Sequence, residues 1–148
     1  MAHLLRISEA ASLGLHACVA LAGEPDRDVP ARELAADFGA SEAHLAKVMQ
    51  RLVKAGLVAS TRGPKGGFRL ARPAETVTLL DVYEAVEGPV EPLGCLLGRP
   101  ACRGSVCMFG DFLRDFDTHF RGYMATTTLH QLVSYEESIH GGAADHHD

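Results

Sequence analysis

Ser41 to Arg72 reads SEAHLAKVMQRLVKAGLVASTRGPKGGFRLAR, and the order of its parts decides the fold. Ser41 is a good N-cap, and Leu45, Val48, Met49 and Leu52 follow at the i, i+3, i+4, i+7 spacing of a helix with one buried stripe. Gly56 ends that helix. LVAST and GFRLAR are extended in character, and RGPKGG between them is a glycine-rich basic turn. The stretch therefore predicts a helix followed by a two-stranded wing.

Working outward, Ser8 caps a helix over EAASLGLHACVALA that stops before GEPDRD. At about 100° per residue, Ala11, Leu15, Cys18, Val19 and Ala22 share one face, with Glu9, Ser12 and His16 opposite. Cys18 reads as buried and structural. PARELAADF is a short helix with Pro30 at its first position, and the tight turn GAS leads into the Ser41 cap. Downstream, Thr78 caps LLDVYEAVEG, with Asp81 in the first turn. Residues 88–106 are rich in Pro and Gly and read as a loop. From about Val106 to Ala125, Met108, Phe109, Phe112, Leu113, Phe116, Phe120, Tyr123 and Met124 suggest a long amphipathic helix. Thr126 to Thr128 then cap a last short helix, LHQLVSYEE. The tail GGAADHHD has nothing to bury and reads as disordered.

Helix, short helix, tight turn, helix and two strands make a winged helix-turn-helix in a mainly α chain. The expected division is 1–87 for this module, 88–106 for a cysteine-rich loop, 107–136 for a dimerisation helix and C-terminal helix, and 137–148 for the tail. At 148 residues one domain with a helical extension fits. No apolar run approaches the ~20 residues of a membrane span, and the N-terminus lacks a signal-like core, so a cytoplasmic, reducing setting is expected and structural disulfides are disfavoured.

Charge is segregated. Between Ser41 and Pro73 seven basic residues face one acid, Glu42, a net +6, so the rest of a chain with formal charge −5 carries −11. Such a surface suits phosphate. In a winged helix the second helix of the pair enters the major groove, placing Ser41, Glu42, Ala43, His44 and Lys47 near bases and Gln50, Arg51 and Lys54 nearer phosphate or solvent. In the wing, Arg62, Lys65 and Arg69 supply charge, while Gly66 and Gly67 let the backbone approach phosphate. The alternatives are a merely solvated basic face or a protein-docking module; one-sided charge on both helix and wing favours double-stranded DNA.

Three of the four cysteines lie in CLLGRPACRGSVC, Cys95 to Cys107, spaced C-x6-C-x4-C. Thiolates on a flexible loop can converge on iron, so Cys95, Cys102 and Cys107 are candidate ligands of an iron-sulfur cluster, 2Fe-2S or 4Fe-4S, with a fourth position to be filled. Zinc would prefer paired C-x2-C knuckles, which are absent. A metal-free dithiol switch remains open. Arg99 and Arg103 would favour thiolate in either redox reading. An enzyme built on these thiols has no C-x-x-C, phosphate loop or acid-base pair behind it.

HLAKVMQRLVKAGLVASTRGPKGGFRLARPAETVTLLDVYEAVEG, followed by the three-cysteine loop, is very similar to the core of the Rrf-two family of bacterial transcription regulators. The similarity runs from about Leu5 to Glu136. It implies a homodimer whose long helix crosses to the partner, and cluster ligation by Cys95, Cys102 and Cys107. Family members differ in the fourth ligand. A histidine three residues after the last cysteine becomes Gly110 here. A first-helix aspartate given by the partner subunit becomes Ser12. In the pairing of a glutamate and a histidine on that helix, the histidine matches His16 and the glutamate again becomes Ser12. His16 is thus the candidate, with Ser12 and Glu9 behind it. The implied function is a repressor that senses redox state, nitric oxide or iron status, a cluster-free regulator of the same fold being the alternative.

Overall fold

The computed structural model describes residues 7–97 and 107–134. Helix α1, Glu9–Gly23, starts at Ser8, whose Oγ accepts the Ala11 N–H at 3.0 Å. Helix α2 is Ala31–Phe38, with Pro30 one residue outside it as N-cap. Helix α3, Glu42–Lys54, is capped by the Ser41 Oγ, which accepts from the His44 N–H at 3.0 Å. Strands β1, Val58–Thr61, and β2, Gly67–Leu70, pair antiparallel, with Ala59 opposite Arg69 and Thr61 opposite Gly67. A 3-10 turn, Ala74–Thr76, leads to α4, Leu79–Glu87. There Thr78 and Asp81 form a reciprocal capping box, satisfying two amide donors that a helix start leaves unpaired. Helix α5 is Phe112–Thr126, and residues 129–134 are helical.

The expected α3 stripe is the centre of the core: Leu45, Val48, Met49 and Leu52 are all buried, together with Leu21, Leu34, Val77, Val82 and Leu129. Antiparallel backbone bonds join the start of α4 to the chain after α5, with Leu79 N–H donating to the Thr127 carbonyl and Leu129 N–H to the Val77 carbonyl, both at 3.0 Å. These bonds, with Phe120 and Met124 against the core, seat α5 on the winged-helix body.

Two expectations, about the face of α1 and the start of α5, need correction. The buried face of α1 is Ala11, Leu13, Gly14, Ala17, Cys18 and Leu21, while Leu15, Val19 and Ala22 are only half-buried. The helix is apolar around most of its girth, so periodicity could not fix which side meets α3 and α4. The long helix begins at Phe112 and not near residue 106. Gly110 takes a left-handed φ of 51° and its N–H closes a turn on the Cys107 carbonyl at 2.9 Å, which interrupts a helical path. The wing also gains an unforeseen third edge, Val29 pairing with Phe68 through bonds of 2.8 and 2.9 Å. The tail expected at 137–148 lies outside the described residues.

Candidate nucleic-acid interface and cysteine loop

Burying the apolar stripe of α3 turns the opposite face outward. Ser41, Glu42, Ala43, Lys47, Gln50, Arg51 and Lys54 are all exposed, and His44 is half-buried. His44 Nδ1 lies 3.9 Å from Glu9 Oε1, so the first turn of α1 sits beside the first turn of α3. Arg51 has a definite partner: its Nη1 donates to the Val86 carbonyl at 2.9 Å, at the C-terminal end of α4. A cation there complements the negative end of that helix. Arg51 thus links α3 to α4 whatever else it meets.

In the wing, Arg62, Lys65 and Arg69 are exposed. Gly66 and Gly67 serve the wing itself. A Cβ at Gly66 would fall 2.1 Å from the Thr61 carbonyl oxygen, and one at Gly67 would fall 2.5 Å from the Val29 carbonyl carbon. Only a residue without a side chain allows those approaches. Arg69 Nε donates to Asp28 Oδ1 at 2.5 Å, and the Asp28 side chain is only 14% exposed. The bond from Arg69 holds the Asp28 carboxyl below the usual carboxylate range, with the Thr61 hydroxyl adding to it against an opposing effect of burial. No periodicity marks Asp28, which reads in sequence as one more turn residue.

The cysteine loop leaves α4 through Gly88. Its root is tied down: Val90 N–H donates to Glu84 Oε1 at 3.1 Å, and the Val90 carbonyl accepts from Arg121 Nη1 of α5 at 3.2 Å. Cys95 is half-buried and Cys107 exposed, while Arg99, Cys102 and Arg103 lie outside the described residues. Among the described residues no group of three or more His, Cys, Asp or Glu side chains is gathered for a metal. Gly110, the position that the resemblance compares with a ligand histidine, has no side chain and offers no donor.

His16 and Ser12 sit together on the outer side of α1. The His16 Nδ1 is 2.7 Å from the Ser12 carbonyl oxygen. A carbonyl can only accept, so Nδ1 carries the proton, and the lone pair of a neutral ring falls on Nε2. That is the tautomer a ligand histidine needs, its other nitrogen oriented by a backbone carbonyl. His16 also meets Phe38 edge-on, with ring centroids 5.9 Å apart. It lines an apolar groove of about 650 Å³ with Leu15, Val19, Leu132 and Val133. Cys18, by contrast, is fully buried, and burial pushes its thiol up to about 12, making it an inert core residue.

Beyond the loop, α5 presents aromatics to solvent. Phe112, Phe116 and Tyr123 are 63%, 42% and 53% exposed, and Phe112, Phe116 and Phe120 stack in succession at 6.4 and 6.0 Å.

A winged helix with a basic outer face, carrying a cysteine loop and a bare aromatic helix, defines the class of winged-helix transcription regulators. The chain belongs to the Rrf2 family, described as iron-dependent transcriptional regulators, whose model matches residues 7–135. It is 43% identical over 83 residues to the HTH-type transcriptional regulator BadM of Rhodopseudomonas palustris, covering 56% of this chain and 53% of that protein. It is 35% identical over 112 residues to the HTH-type transcriptional regulator IscR of Vibrio vulnificus, covering 75% of this chain and 66% of that one. The matches thus span between about half and just under two thirds of these relatives' length. Among solved structures, CymR, the global cysteine regulator of B. subtilis, superposes with a TM-score of 0.75 at 26% identity, covering 89% of this chain and 98% of that one. These relatives are transcription regulators, not enzymes.

Proposed function

We infer that the chain is a DNA-binding repressor, working as a homodimer, whose grip on promoter DNA follows the state of an iron-sulfur cluster. The observation that carries this reading is the place of the cysteine loop, which joins the end of α4 to the start of α5, between the basic reading head and the exposed aromatic helix. Ser41, Glu42, Ala43, His44 and Lys47 are the residues for base edges, and Arg62, Lys65 and Arg69 those for phosphate.

The donor set fits a cluster. Cys95, Cys102 and Cys107 would supply thiolates, and the Nε2 of His16 on the partner subunit's α1 the fourth donor, with Ser12 in reserve. A cluster bound there would supply iron-sulfur bonds sensitive to oxidant, nitric oxide and iron supply. The chain's own residues carry the consequence. Arg51 of α3 holds the Val86 carbonyl, Ser8 at the head of α1 donates to the Glu87 carboxylate, and Gly88 opens the loop. A shift of the loop root therefore bears on both α1 and α3. In a dimer a small tilt changes the spacing of two α3 helices that must match half-sites about 34 Å apart or a multiple of it.

The thiols also suit a second reading, a metal-free switch, favoured by the exposure of Cys107. Anaerobic purification separates the two. Brown protein with matching iron and sulfide, which releases or takes up promoter DNA when the cluster is removed, supports the first. Colourless protein whose DNA affinity changes on thiol oxidation supports the second. Equal affinity of all forms at equal salt refutes sensing by the loop.

A further inference from the structure

We propose that Asp28 is a positioning residue for DNA binding, its carboxylate holding the second strand of the wing and fixing how Arg69 is presented. The proposal rests on the DNA-binding reading above.

The wing is a hairpin of two four-residue strands, and an isolated hairpin of that size is marginal in water. Its attitude must be set from outside. Asp28, in the turn between α1 and α2, reaches β2 of the wing, its Oδ1 accepting from Arg69 Nε at 2.5 Å. The neighbouring Val29 extends the sheet with its two backbone bonds to Phe68, and Gly67 permits the close seat against Val29. Side chain and backbone thus fasten the wing to the turn before α2. Because Asp28 engages Arg69 through Nε, the guanidinium plane is set while its two terminal amino groups remain chemically suited to a phosphate fork.

An acid beside a phosphate-binding surface has an opposite expected effect if it is a bystander, because removing its charge would strengthen attraction to DNA. The two accounts differ in sign. The probe is a fluorescently labelled duplex that the wild-type chain selects from a random pool, titrated at fixed salt. Asp28→Asn is expected to weaken binding about fivefold to tenfold, and Asp28→Glu to restore most of it. In an Arg69→Ala background, Asp28→Asn is expected to cause no further loss. Asp28→Ser, a second neutral replacement that fits the turn, is expected to weaken binding to a similar extent and carries the test if Asp28→Asn does not fold.

Equal or tighter binding by Asp28→Asn, or by Asp28→Ser, overturns the proposal, as does the same loss with Arg69 absent. If the wild-type chain selects no duplex, the DNA-binding reading falls instead; with wild-type binding intact, the variants speak for Asp28 alone.

Discussion

Gly14→Ala tests how α1 is seated. Gly14 lies buried where α1 crosses α4, and a Cβ there would come 2.8 Å from Val86 Cγ2 and 3.4 Å from Val48 Cγ1. Carbon atoms rest at about 3.5–4.0 Å, so the new methyl overlaps the valine by about 0.7–1.2 Å. Val86 is 5% exposed and β-branched, with one strongly preferred helical rotamer, so it has little freedom to turn aside. The helices must part. Overpacking of this kind costs about 1–3 kcal/mol, against about 1 kcal/mol gained by replacing glycine in a helix. The expected balance is a loss of about 1 kcal/mol, or about 2–4 °C in Tm for a chain of this size. Val86→Ala alone should cost about 2 kcal/mol for two buried methyl groups and the space they leave. Because the added methyl then enters that space, the double variant should be about 1 kcal/mol more stable than the sum of the two losses. Urea and thermal unfolding followed by circular dichroism measure all four proteins. A rise in Tm for Gly14→Ala, or additivity within about 0.5 kcal/mol, would show that this contact does not govern the crossing.

The Cys18 thiol, pushed up to about 12 by burial, should resist alkylation in the native chain at pH 8 and react once urea unfolds it. Since the unfolded thiol ionises near pH 9 while the folded one keeps its proton, Cys18 should also make stability fall as pH rises from about 9 to 12. Cys18→Ala should flatten that part of the alkaline stability profile; an unchanged slope refutes the assignment. In the homodimer proposed above, paired through α5, Phe116→Glu on the exposed face of that helix should turn dimer into monomer in sedimentation equilibrium. Losing the burial of that ring costs about 2 kcal/mol per copy, about 4 across a two-fold pair, near a thousandfold in Kd. A mass unchanged from wild type would remove α5 from the interface.

Local rules fixed much of this chain before any tertiary contact was known. Ser8, Ser41 and Thr78 cap the helices expected of them, because a hydroxyl accepting a backbone N–H is decided within four residues. The α3 stripe and the glycine-rich wing turn were equally legible, since one periodicity and one turn composition leave few alternatives. The loop's three sulfur donors were visible as composition alone. What needed the folded molecule were relations between distant segments. Which side of the broadly apolar α1 is buried depends on the neighbours it meets. Asp28 and Arg69 are 41 residues apart, and Arg51 and Val86 are 35 apart. Neither pair is prescribed by its local sequence, because a carboxylate or a carbonyl has no preferred partner until packing brings one within reach. The same physics explains the stop at Gly110: the apolar spacing there allows a longer helix, and a turn closed on Cys107 prevents it.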